Sequence, residues 1–73
     1  MVRTKLQALI TERRLSQREV ARLSGVRPRT VNLLCSNRMP TISFEVIDGL
    51  CGALKIQPGD LFERVPETEK VEV

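Results

Sequence analysis

Arg27, Arg29, Thr30 and Asn32 fall within one short stretch, RPRTVN, and carry the side chains best suited to reading a polyanion with a patterned surface. A guanidinium sets two parallel N–H donors on guanine O6 and N7 or on a phosphate, and a primary amide offers adenine an acceptor beside a donor. To act together these groups must stand on one rigid, outward face. The surrounding segment, Gln17 to Leu34, can build such a face: Val20, Val26, Val31 and Leu34 are apolar, Ala21 is small and Gly25 tolerates a positive φ. Two helices crossing at roughly 90–120° through a short turn need an uncrowded crossing and a permissive turn residue. Ala21 meets the first need and Gly25 the second, so the spacing is that of a helix-turn-helix whose second helix projects its polar side outward.

Composition agrees with a small nucleic-acid module. The chain has 73 residues, 41% of them hydrophobic and only 3% aromatic, which predicts one domain with an aliphatic, all-helical core. Net charge is +3, but residues 1–40 hold nine Lys/Arg against two Asp/Glu, whereas residues 41–73 hold three against seven. That split fits a DNA-facing half followed by a neutralising or partner-facing half; an ordinary solvated basic surface is the plainer alternative. No apolar run reaches the roughly 20 residues of a membrane span, and no signal-peptide core is visible, so a cytoplasmic location is expected.

Enzymatic chemistry finds little support. The chain lacks His, lacks a phosphate-cradling glycine loop and has only Cys35 and Cys51, too few ligands for a four-coordinate zinc site. No cofactor and no metal are expected. Both cysteines sit at apolar helical positions, as core filler, with a redox pair as the alternative.

The elements that would position the basic face are legible in order. Leu6, Leu9 and Ile10 form one stripe of a first helix from Thr4 to Arg14, with Lys5, Gln7, Glu12 and Arg13 pointing elsewhere. Ser16-Gln17-Arg18-Glu19 is a capping box that starts helix 2 at Gln17, whose inner face is Val20, Ala21 and Leu23, and Gly25 closes it as a left-handed cap. Pro28 suits the first turn of helix 3, which should run to about Ser36 with Val31, Leu34 and Cys35 inward; Asn37 follows as a left-handed cap. Thr41 or Ser43 caps helix 4, with the stripe Phe44, Ile47, Leu50, Cys51 and Leu54. Gly49 and Gly52 mark either a close approach or a tolerant surface. Pro58-Gly59-Asp60 opens a short fifth helix with Leu61 and Phe62 as its apolar pair. Residues 1–64 thus form one domain and residues 65–73 an acidic, frayed tail.

With the turn motif in the second and third of five helices and the ending Leu50-Cys51-Gly52-Ala53-Leu54, then Pro58-Gly59-Asp60-Leu61-Phe62, residues 3–64 resemble the Cro and lambda-repressor-like (XRE) regulators. The resemblance implies a compact all-α, five-helix DNA-binding domain. It places Gln17 where relatives clamp a phosphate or brace a base reader, Arg27, Pro28, Arg29, Thr30, Asn32 and Leu33 among the base-reading positions, and Arg38 against the backbone. The chain departs from the pattern at Arg27, which replaces a Ser or Thr cap at a cost of around 1 kcal/mol, at Pro28, and at Leu33, which meets a thymine methyl or turns inward. Readout then rests mainly on Arg29 and Asn32, with Arg27 as a further candidate. Arg29 is a base reader, with a phosphate contact or an uninvolved surface arginine as the alternatives, Asn32 contacts adenine or phosphate or stays solvated, and Arg18 and Arg22 are phosphate contacts or plain surface charges.

The function expected is a sequence-specific DNA-binding transcription regulator that binds double-stranded DNA as a homodimer, a repressor by occupying a promoter, with activation by touching polymerase as the alternative. The pairing surface expected is the end of helix 4 with helix 5, around Ile56, Leu61 and Phe62, unless these close the monomer's core. The rival is a protein-interaction module, such as an antitoxin, whose bundle or acidic tail masks a protein partner and which binds DNA secondarily.

Overall fold

The computed structural model describes residues 1–66, and most of the 65–73 tail lies outside them. Five helices, α1 (Leu6–Glu12), α2 (Gln17–Ser24), α3 (Pro28–Cys35), α4 (Phe44–Leu54) and α5 (Pro58–Leu61), are joined by a two-stranded antiparallel ribbon of β1 (Val2–Thr4) and β2 (Phe62–Arg64). The architecture is the all-α, five-helix one that the sequence predicts.

Burial supplies the reason the helices assemble. Leu6 and Ile10 of α1, Val20 and Ala21 of α2, Val26 in the turn, Val31 and Leu34 of α3, Leu50 and Leu54 of α4 and Leu61 of α5 form one aliphatic core. α2 packs on both α3 and α4. Its contact with α4 is close: a Cβ placed on Gly49 would lie 2.7 Å from the Ser24 carbonyl oxygen, so this glycine marks the helix approach, whereas Gly52 faces open space.

Helix ends follow the local chemistry closely. The Ser16 hydroxyl accepts from the Glu19 amide and the Glu19 carboxylate accepts from the Ser16 amide, completing the box. Gly25 adopts φ +76° and closes α2. Ser43, not Thr41, caps α4 by accepting from the Val46 amide. At the end of α3, Asn37 takes φ +56°; its amide donates to the Leu34 carbonyl and that of Arg38 to the Leu33 carbonyl, a closure that satisfies the last turn.

Several expectations are corrected. Helix 1 does not begin at Thr4 or reach Arg14: Thr4 ends β1, its amide donating to Asn37 Oδ1 and its hydroxyl to the Leu34 carbonyl, and Arg14 turns left-handed after the helix. Leu23 is not on the inner face, being 53% exposed, and Phe44 lies outside the core at 89% exposed. Cys35 and Cys51 agree with the filler reading instead: both are free thiols, half-buried and packed against the core. Leu61 is fully buried in the monomer and cannot serve a second copy, while Phe62 belongs to β2. The ribbon has no forerunner in the sequence pattern: three-residue strands show no alternation to read, and the Val2–Arg64, Arg3–Glu63 and Thr4–Phe62 pairs join residues about sixty positions apart. Val65 extends the pairing by exchanging backbone bonds with Met1.

Candidate nucleic-acid interface

Gln17 is the first residue of α2, and a capped N-terminus fixes where its side chain emerges. It is half-buried because α1 lies on one side and α3 on the other. Its Oε1 accepts from Asn32 Nδ2 at 3.1 Å and its Nε2 donates to Gln7 Oε1 at 3.0 Å. Gln7 in turn donates to Thr11 Oγ1 at 3.1 Å. Three helices are thereby joined through side-chain amides on one surface. Gln7 and Thr11 are the residues that the sequence reading missed. Their spacing of one helical turn is legible as a surface pair, but the meeting of α1 with the start of α2 is a tertiary event.

α3 presents the rest. Arg27 occupies its N-cap, with no side chain capping the first turn, and Pro28 follows at the first helical position, where a missing amide costs little. Arg29 and Asn32 are exposed, whereas Thr30 and Leu33 are half-buried. Leu33 is absent from the side chains packed on the core, so it stays at the surface margin. Arg38 is exposed just beyond the helix, its backbone held by the bond to Leu33.

No carboxylate among the described residues is paired with this face. Among the described residues the one ion pair is Arg3 with Glu63, on the ribbon. Arg18, Arg27, Arg29 and Arg38 are exposed and make no ion pair there. The first turn of α3 holds no acid, so the positive end of its dipole and the two nearby guanidinium groups reinforce one another. A surface so arranged attracts an anion to the helix start and a patterned edge to its outer side. The structure brings Gln17 and Asn32 into direct contact.

Burial pushes the Cys35 thiol above its ordinary value. The Cys51 thiol is raised too, by burial first and then by Asp48 and Asp60. Neither is an activated nucleophile. No group of three His, Cys, Asp or Glu among the described residues could hold a metal ion, and no helix there is long and apolar enough to cross a membrane.

Comparison with known proteins points the same way. A family model described as the Cro/C1-type HTH DNA-binding domain matches residues 5–67. The fold is similar to the crystal structure of a proposed DNA-binding protein from Bacteroides fragilis, with a TM-score of 0.74 at 21% identity, covering 86% of this chain and 100% of that one. No curated protein sequence matches the chain.

Proposed function

The chain belongs to the Cro/C1-type helix-turn-helix DNA-binding domain family, and we propose that it is a sequence-specific transcription regulator, acting as a repressor in the cytoplasm, with α3 in the major groove. The observation that carries this reading is the unneutralised face of α3, where exposed Arg27, Arg29 and Asn32 stand together with no carboxylate paired to them among the described residues. Arg29 reads a guanine edge, Asn32 an adenine edge, and Leu33 meets a thymine methyl beside Thr30. Arg18, Arg27 and Arg38 hold the phosphate backbone, with Gln17 at the start of α2 between the two roles. Residues 1–64 serve as the binding unit and residues 65–73 as an acidic appendage.

One recognition helix makes too few contacts for tight specific binding, so the active form is a homodimer reading half-sites about one helical turn apart. With Leu61 buried, the available face moves along α4, where Phe44, Ile47, Cys51, Ile56 and Pro58 line an exposed groove. Asp48 on α4 and Lys55 just past its end line the same groove, so antiparallel pairing of two α4 helices brings each Asp48 toward a Lys55 of the other copy. Phe44→Glu is expected to leave helix content unchanged and to shift a sedimentation profile from dimer to monomer. A wild-type chain that is monomeric both free and on its operator removes the dimer.

The reading itself is tested by selecting bound sites from a random duplex library and titrating the selected operator. Affinity should fall steeply with salt as counterions are released, and Arg29→Ala should cost about 1–3 kcal/mol with relaxed preference at one base pair. Failure to enrich any sequence, or binding indifferent to salt, refutes it. Equal loss on all sequences after Arg29→Ala makes that residue a phosphate contact.

A further inference from the structure

We propose that Gln7, on α1 and outside the helix-turn-helix, is a positioning residue that decides which edge Asn32 turns toward DNA. The proposal rests on the reading of α3 as the recognition helix and concerns a feature that reading does not need. A side-chain amide has two faces of opposite sense, and the hydrogen bonds it makes inward determine what it offers outward. Here every link runs one way: Asn32 Nδ2 donates to Gln17, Gln17 Nε2 donates to Gln7, and Gln7 Nε2 donates to Thr11.

With one N–H committed to Gln17, Asn32 keeps its Oδ1 and its second N–H for the outside. An acceptor beside a donor matches adenine, whose N6 amino group donates and whose N7 accepts. Were the relay reversed, Oδ1 would accept from Gln17 and both N–H groups would face outward, the pattern that matches guanine O6 and N7. In the structure Gln7 turns Oε1 toward Gln17 and Nε2 toward Thr11, and that orientation lets the Gln17 amide donate to α1. The Thr11 hydroxyl donates or accepts as required, so a residue at position 7 that can only accept or only donate fixes the direction. In the free protein Gln7 and Asn32 are exposed and water competes for each bond; contact with base edges excludes that water and makes the relay's direction count.

The test compares duplexes carrying A or G at the operator base pair that responds to Asn32→Ala. Gln7→Glu only accepts, so it preserves the direction; Gln7→Lys only donates, so it reverses it. Wild type and Gln7→Glu are expected to prefer A by roughly ten-fold, and Gln7→Lys to lose or invert that preference. The added charges alter attraction to phosphate on both duplexes alike, so the A-to-G ratio isolates the relay. Gln7→Met, which cannot carry the relay, should move the ratio toward one, and it serves if the lysine variant fails to show native helix content by circular dichroism. A ratio equal to wild type in Gln7→Lys or Gln7→Met, with Asn32→Ala abolishing the preference, overturns the relay and leaves α3 as the reader. No operator position sensitive to Asn32→Ala overturns the relay and the assignment of Asn32 together.

Discussion

α2 and α3 are both eight residues long and pack on each other, yet opposite means hold them. α2 has a complete capping box, an acid in its first turn, Arg22 in its last and a left-handed glycine at its end, each favourable to an isolated helix. α3 starts at Arg27 with no side-chain cap and no acid in its first turn. What holds it is burial of Val31 and Leu34, and the clamp in which Thr4 bonds both Asn37 and the Leu34 carbonyl. The contrast teaches that local helix chemistry is weakest at the start of α3, where Arg27 takes the cap position, and that tertiary contacts replace it there.

The largest effect should come from α3's tertiary support: Leu34→Ala is expected to cost about 2–5 kcal/mol in denaturant unfolding. A loss well under one would break the comparison by showing that α3 stands without its buried face. Next comes the approach that seats α2. Gly49→Ala drives a methyl against the Ser24 carbonyl oxygen and should cost about 1–3 kcal/mol, read by the same melts.

The two N-termini sharpen the contrast because they predict opposite signs. Ser16→Ala should lower stability by around 1 kcal/mol with operator affinity per folded molecule unchanged. Arg27→Ser should raise stability by up to about 1 kcal/mol and weaken operator binding, since it supplies the missing cap and removes a guanidinium. If Arg27→Ser gains stability and keeps full affinity, the uncapped start has no link to DNA contact.

The smallest effect concerns the thiols at the core's margin. Burial raises both, with Asp48 and Asp60 adding to the effect at Cys51, so the folded chain holds these protons at pH values where the unfolded chain releases them. Their contribution is therefore fully present below the unfolded thiol pKa and lost as pH rises through the folded values. Thermal midpoints should decline on the alkaline side, and a Cys35→Ala, Cys51→Ala double variant should decline less over the same range.

Legibility follows the range of the interaction. The capping box at Ser16, the left-handed Gly25 and Asn37, and Pro28 at the start of α3 are short-range chemistry, and each stands where the sequence places it. Phe44 shows where such reading fails: its spacing matches the α4 stripe, but periodicity records which side of a helix is apolar, not how far the neighbours extend to cover it. Leu23 fails for the same reason. For the candidate interface, the sequence points to Gln17 and the side chains of α3, while the hydrogen bonds that Gln7 makes with Gln17 and Thr11 emerge only when α1 is laid beside α2.

By itself, then, the order of residues determined five helices, the caps at Ser16, Gly25 and Asn37 and the cationic side chains at the start of α3, because each depends on neighbours within about one or two turns. Only the tertiary structure decided that β1 meets β2, that Gly49 admits the end of α2, that Leu61 is sealed in the monomer and that Asn32 is held through Gln17 from α1. Those contacts join segments distant in sequence, and their geometry exists only after the core of Leu6, Val20, Val31, Leu50 and Leu61 has closed.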